Sequence, residues 1–313
     1  MSRHYILVLG LLIVTSILHS QPTDDKKAAF YTGVSPLVLN DRGLEVALNN
    51  SLASYWIEVS QLNPADNSTR IAERYRFSSI DHLLRLSYGF SRNGRWDLGI
   101  ELGYTHRLLD DEARASPFRA LGSDAETAII QASGMSLIGL RARVTPIASL
   151  PEFTVQGTFH IPGTRDEEES QLLGFNRNEA GLSLNFYQQF NPYTFYFVQA
   201  DWRSRLRDNE NGLRAVHFPS VSGFLVFDLS GSQRWYVFPG ISYLASLQKS
   251  GNRLRRISQQ LHGSLGILFQ PDGRFGILLN GQLPFIFESG NTLTEYVRES
   301  YTGFTLGFRY LLN

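Results

Sequence analysis

Apolar and polar side chains alternate along much of this chain, the period of a β-strand with two unlike faces. The last run shows it most cleanly: Phe304, Leu306, Phe308 and Tyr310 interleave with Gly303, Thr305, Gly307 and Arg309. Such runs come in pairs around short turns. Around Arg92-Asn93-Gly94, with Gly where a three-residue hairpin loop favours positive φ, the register sets Phe90 against Trp96, Tyr88 against Leu98, Leu86 against Ile100 and Leu84 against Leu102. The other face then holds Arg85, Ser87, Gly89, Asp97, Gly99 and Glu101. Two strands that agree about one turn constrain register far more than either does alone.

Four more hairpins follow. Around Pro271-Asp272-Gly273, Phe269 meets Phe275, Ile267 meets Ile277 and Leu265 meets Leu279, with His262, Ser264, Gly266, Asn280 and Gln282 opposite. Around Gly231-Ser232-Gln233, Leu229 meets Trp235, Phe227 meets Val237 and Val221 meets Tyr243. Asn191-Pro192-Tyr193 joins Leu182, Leu184 and Phe186 to Tyr196, Val198, Ala200 and Trp202; Ser149 to Glu152 joins Leu140, Ala142 and Val144 to Val155, Gly157 and Phe159. A first strand near Leu44, Val46 and Leu48 makes the count even. Pro239 and Pro284 fall inside strands, where each removes a ladder donor, so a bulge is expected at both.

Between the hairpins lie longer polar stretches, about 63–78, 109–134, 163–178, 207–217, 248–256 and 289–300. Turns on one rim and loops on the other are the grammar of a transmembrane β-barrel. The chain beyond residue 42 has room for about twelve strands at ~20–25 residues per strand and connection. The expected fold is therefore a closed antiparallel transmembrane β-barrel over 43–313, with short periplasmic turns, long extracellular loops and both termini at the turn rim. Trp96, Phe153, Phe190, Trp235, Phe269, Phe275 and Tyr310 lie beside turns, where an inner aromatic girdle belongs; Tyr104, Trp202 and Tyr243 suit the outer one. A soluble sandwich or lipocalin-like barrel would also alternate. Its dry core could not take unpaired Arg85, Asp97, Glu101, Arg141, Arg143, Asp201, Arg203 and Arg309, whereas a wet lumen could.

Composition adds the destination. Arg3 and His4 precede an apolar stretch through Ile17, with Ser20 a small residue before Gln21; residues 1–20 read as a secretory signal and 21–42 as a periplasmic lead-in or small plug at the lower mouth. A net charge of zero and a mean hydropathy of −0.16 look soluble to a hydropathy scan, which a barrel evades by turning every second residue inward. Cysteine is absent, which excludes disulfides and a lipoprotein anchor.

The stretch from Leu86 to Tyr104 resembles the strand–turn–strand of the phenol-degradation meta-pathway outer-membrane proteins, and is similar to uncharacterised Gram-negative barrels described as transporters. The resemblance implies a twelve-stranded outer-membrane barrel, and a channel for small, often apolar, molecules. The closing Gly307-Phe308-Arg309-Tyr310 resembles the C-terminal signal read by the barrel-assembly machinery, but Leu311-Leu312-Asn313 follow it.

Candidate chemistry lies in the lumen. Arg85 falls across from Glu101, with Arg141 on the next strand; Arg141 is read as opposite His160, and Arg143 lies one step below. The group is either an electropositive constriction favouring anions or a network of ion pairs that stiffens the wall. Arg107, Asp201, Arg203, His262, Gln282 and Arg309 complete the expected pore lining. His262 and Ser264, spaced like a His-x-Ser catalytic pair, face the lumen rather than lipid and lack an orienting third group. The acidic run 166–169 and the cluster 110–112 read first as solvated loop charge, with divalent cations as the lesser alternative; Arg253, Arg255 and Arg256 read first as an exposed basic loop, with lipid phosphates as the alternative. The loop 109–134, helix-compatible over 125–132, either folds into the pore or packs outside it.

No catalytic, cofactor, metal or nucleic-acid motif is present. The expected function is a passive outer-membrane channel or transporter for a small-molecule solute in a Gram-negative bacterium, in contact with outer-membrane lipid and lipopolysaccharide. The alternatives are an occluded structural or adhesion barrel and, more distantly, an outer-membrane lipid hydrolase.

Overall fold

The computed structural model describes residues 38–39, 42–62, 70–91, 95–111, 117–121, 128–207, 214–229, 231, 234–250, 253–271, 274–289 and 294–312. The signal and most of the lead-in, the turn 92–94 and parts of two other predicted turns lie outside them. Twelve strands form the wall: β1 (Leu44–Leu62), β2 (Arg70–Gly89), β3 (Trp96–Asp110), β4 (Ala128–Val144), β5 (Phe153–Pro162), β6 (Glu179–Asn191), β7 (Thr194–Arg205), β8 (Val216–Asp228), β9 (Trp235–Ser250), β10 (Arg253–Phe269), β11 (Phe275–Ser289) and β12 (Thr294–Leu312). Each pairs with its chain neighbour, and β1 pairs with β12, so the sheet closes with no free edge. Leu44 lies against Leu312, which puts both ends of the barrel at the turn rim.

The alternation pattern predicts most registers. Leu84–Leu102, Leu86–Ile100 and Tyr88–Leu98 face each other as expected, as do Leu140–Phe159, Leu182–Trp202 and Val221–Tyr243. The β10–β11 pair differs. Ile267 meets Leu279, not Ile277, and Phe269 meets Ile277, not Phe275. The connection is thus two residues longer than predicted, and a two-residue slip keeps every side chain on its face. A bulge does form at Pro284, where Leu261 pairs with Ile286 but His262 pairs with Pro284. None forms at Pro239: the register holds from Phe224–Gly240 to Phe227–Val237, with an unbonded stretch between. There the missing donor is tolerated by opening the ladder instead of shifting it.

Strands run further outward than the polar loops suggested. β1 and β2 extend through 62 and from 70, and β4 begins at Ala128, so residues 128–132 of the expected helix are strand. Polar residues continue the pleat above the apolar band, where alternation no longer marks it.

The outward face carries the apolar residues, exposed as lipid contact demands: Leu98, Ile100, Leu140, Leu182, Ile241, Leu265 and Leu279 among them. Rings gather near the turn rim, with Trp235 and Phe269 at 4.4 Å and Phe90 and Trp96 at 5.5 Å between centroids. Among the described residues no helix is long and apolar enough to cross a membrane; crossing falls to the strands. Ile100→Arg, on this outward face, is expected to lower stability in a bilayer by about 2–4 kcal/mol, a depth-dependent cost of charge in hydrocarbon. Urea-dependent folding into liposomes measures it. A change near zero would mean that Ile100 meets water.

The described turn of the long connection 109–134 lies on the outside of the barrel. This 3-10 turn, Pro117–Leu121, seats the fully buried Ala120 over a cluster of Leu52, Ile80 and Leu108 on the outer wall. Phe118 approaches Phe304, on the outward face of β12, at 5.8 Å. A different loop enters the lumen, as described next.

Candidate functional site

The inward residues of β1–β5 and β12 form a dry ionic network in the lower half of the barrel. Arg143 donates from Nε to both oxygens of Asp97 (3.0 and 3.1 Å) and lies 3.5 Å from Glu45. Arg309 reaches Glu45 at 3.3 Å. Arg85 donates to Glu101 at 2.9 Å, and Glu101 also holds His160 Nε2 at 2.6 Å. Arg141 stands between, 3.9 Å from both Glu45 and Glu101, and donates to Ser87 Oγ. All but Arg85 are buried, and Asp97 completely so. Charges taken this far from water hold only when each has an opposite charge or a donor close by, and these do. The expected pairing of Arg141 with His160 is corrected: Arg141 lies opposite Thr158, and His160 opposite Gly139. Gly139 leaves the space that the His160 ring fills, since a Cβ there would sit 2.1 Å from its Cδ2.

The facing wall overturns the expectation of a polar lumen throughout. Val226, Tyr236, Phe238, Leu268 and Leu278 point inward from β8–β11 and bury one another, with Phe195 and Phe224 packed against them. The lower lumen is therefore filled from two sides, ionic on one and apolar on the other.

The described residues of the lead-in meet the base of the lumen. Arg42 adopts a left-handed φ of 61°, alone among the described non-glycine residues, which turns the chain at the foot of β1. Leu39 is buried as a result, and its backbone N–H donates to Asp97 Oδ2 at 2.9 Å.

At the top, the connection from 163 to 178 folds inward. Asp166 accepts from the Glu169 N–H and caps a short helix, α1 (Glu167–Leu172). The chain then leaves through Gly174 at φ 72°. Leu173 and Phe175 are buried against the lumen wall. Phe175 stands edge-on to His160 at 6.1 Å and under the Arg205 guanidinium at 6.0 Å. Gly174 abuts Arg107, whose Nη1 would lie 2.1 Å from any added Cβ. Arg107 in turn covers the Phe77 ring at 5.6 Å. Glycine is required here twice, by the backbone angle and by the guanidinium.

Gly174→Val is accordingly expected to undock this segment. The chain has no cysteine, so Leu173→Cys gives a unique thiol. It should react slowly with a soluble maleimide, and about tenfold faster or more when Gly174→Val is added, as a shift of ~1.4 kcal/mol in docking would produce. Equal rates would leave the segment undocked in both.

The other predicted lining residues are placed as follows. Asp201 accepts from Gln199 Nε2 at 2.8 Å and from Ser220 at 3.2 Å. Arg203 approaches Glu179 at 3.5 Å near the outer mouth. His262 is buried among Phe287 and Tyr301, ring to ring at 6.2 and 5.2 Å, and Tyr301 reaches Gln282 at 3.5 Å. Ser264 lies on the same inward face as His262, away from lipid. The inward aromatic group Tyr55, Phe77, Phe287 and Tyr301 was missed; a signal for it existed in unbroken runs of large residues such as 285–287. Among the described residues no set of three metal-ligating side chains comes together.

No protein-family model matches the chain, and no curated protein is similar to it in sequence. Solved structures do share its fold. An outer membrane channel from Pseudomonas putida F1 superposes with a TM-score of 0.58 at 10% identity, over 93% of this chain and 100% of its own. The beta domain of the Bordetella autotransporter BrkA gives 0.50 at 14% identity, over 86% and 99%. Likeness at such identity is likeness of fold: a closed twelve-stranded antiparallel barrel of the outer-membrane kind. The link to phenol-degradation proteins stays a resemblance.

Proposed function

We propose that the chain is a small-molecule channel of a Gram-negative outer membrane, described here in a closed state. One observation carries the reading. Ionisable side chains run along one side of the interior from Arg203 and Arg205 at the outer mouth, through Glu179, His160 and Glu101, to Arg141, Arg143 and Arg309 at the base. A barrel with no solute to pass could be filled more cheaply with apolar side chains. The apolar outer band and the two aromatic girdles suit a bilayer bounded by lipopolysaccharide, and insertion by the barrel-assembly machinery. The predicted lining residues would then act by charge along the path, with the infolded segment over the upper lumen and the lead-in at the lower mouth as the two closures.

A second reading is favoured by the filled lower half: a structural barrel with a permanently occluded lumen. Planar-bilayer recording and liposome swelling with small solutes separate the two. The channel reading expects small, discrete conductance steps that grow when the lower filling is trimmed. A membrane that stays silent with wild-type and trimmed protein alike favours the structural barrel.

A further inference from the structure

At the base of the lumen each of four guanidiniums lies within 3.9 Å of a carboxylate; the outer mouth is arranged differently. Glu179 opens β6 opposite Arg205 at the end of β7, and Arg203 lies on the same inward face, opposite Phe218 of β8. Among the described residues Glu179 is the one carboxylate that meets either arginine, at 3.5 Å from each, which is long for a hydrogen bond. Arg205 also feels Arg203 and Arg177 as neighbouring like charges. Arg177 spends Nη1 on the Arg214 carbonyl, at 2.6 Å, and its Nε is buried with no partner. Among the described residues, Arg203 and Arg205 thus share one buried carboxylate while Arg177 adds a third positive charge nearby, an excess of two.

The geometry favours a ligand over mere crowding. Arg203 and Arg205 lie over the Phe218 ring at 5.7 and 5.2 Å, and Arg205 also over Phe175. The rings hold the planar groups in place from one side and leave their edges, each with one donor toward Glu179, turned away from the ring faces. Half of the Arg203 side chain and 30% of that of Arg205 remain exposed, so a solute entering from outside reaches them. Guanidinium forks match the oxygen spacing of phosphate, sulfate and carboxylate. The low-dielectric wall strengthens such a contact beyond its value in open water.

We propose that Arg177, Arg203 and Arg205 form a binding site for a small oxyanion group bearing two negative charges, held at the outer mouth. As a selectivity element it rests on the channel reading; as a binding site it does not. The experiment therefore has two readouts. Calorimetric titration of inorganic phosphate into purified, refolded barrel at low ionic strength should show saturable binding at one site. Arg203→Gln with Arg205→Gln should weaken it about tenfold or more. Arg74→Gln, at an exposed pair with Glu58 elsewhere, should leave it unchanged, and Arg205→Lys, which keeps the charge but not the fork, should fall between. Heat-modifiable migration on gels confirms that each variant is folded. In bilayers the same double variant should lose preference for anions over cations. Phosphate binding in a barrel that never conducts would retain the site and discard the channel. No saturable binding, or binding indifferent to the double variant, overturns the site. Displacement of phosphate by added lipopolysaccharide also overturns it, because a lumen-facing site is closed to a membrane lipid.

Discussion

Arg143→Ala is expected to destabilise the folded barrel by about 3–5 kcal/mol, the usual cost of orphaning a buried charge. Arg143 and Asp97 are both shielded from solvent, and the guanidinium covers both carboxylate oxygens. Removing it leaves Asp97 with the Leu39 N–H among its described partners, and takes from Glu45 one of its neighbouring guanidiniums. The paired replacement Arg143→Met with Asp97→Leu should cost much less, because it removes the desolvated charge together with its partner. Urea titration in liposomes, followed by fluorescence of the four tryptophans, gives both values. Equal costs for the single and the paired change would show that the network carries no buried charge of consequence. A further consequence follows from Leu39: with Asp97→Leu the lead-in loses its polar anchor, so proteases should cut near residue 42 sooner than in Arg143→Ala.

The wall of this barrel was legible because lipid and water impose different chemistry on alternate residues. Alternation sets Leu84, Leu86 and Tyr88 on one face, the turn selects Leu102, Ile100 and Leu98 as their partners, and the structure has that register. Where both faces are apolar the code fails. Phe224 to Phe227 and Ile277 to Leu279 are unbroken apolar runs, so the inward members, Phe224, Val226 and Leu278, could not be told from their lipid-facing neighbours. The two-residue slip of β10 on β11 has the same origin, since Ile267 packs as well opposite Leu279 as opposite Ile277.

The lumen charges were assigned to the correct face by alternation, but their partners depend on side-chain reach across strands. Register alone put Glu101 beside Arg85. It could not show that His160, paired with Gly139, reaches across to the same carboxylate. Loops were least legible. The 109–134 segment leaves an inward fold and an outward flap equally open; its described turn, through Ala120, meets an apolar patch outside. The acidic run 166–169 reads as solvated loop charge, and Asp166, Glu167 and Glu168 do stay in solvent; the burial of Leu173 and Phe175 just beyond it has no such signal. What decided the direction was Gly174, a single residue whose left-handed backbone has no signature in the hydropathy pattern.

Phe238→Ala is expected to have the second large effect, on stability and on conduction together. The Phe238 side chain is 1% exposed, at the centre of the inward apolar group with Tyr236, Leu268 and Leu278. Its ring lies on Gly266, where an added Cβ would sit 2.0 Å from Cζ, so the strand beneath is shaped to receive it. Truncating a buried phenyl costs about 3–5 kcal/mol in transfer and cavity terms. Leu279→Ala, one residue along from Leu278 but facing outward, should cost far less, because acyl chains refill what the side chain leaves. That contrast separates lumen packing from lipid contact on adjacent residues of one strand. The same truncation removes a buried ring from the apolar side of the lower lumen, so water gains room there. Bilayer recordings of Phe238→Ala should therefore show conductance steps several-fold larger than wild type, on the order of what a widened constriction permits. A destabilised variant that conducts no better than wild type would assign the apolar group to holding the barrel together and would move the working constriction up to the segment around Gly174 and Arg107.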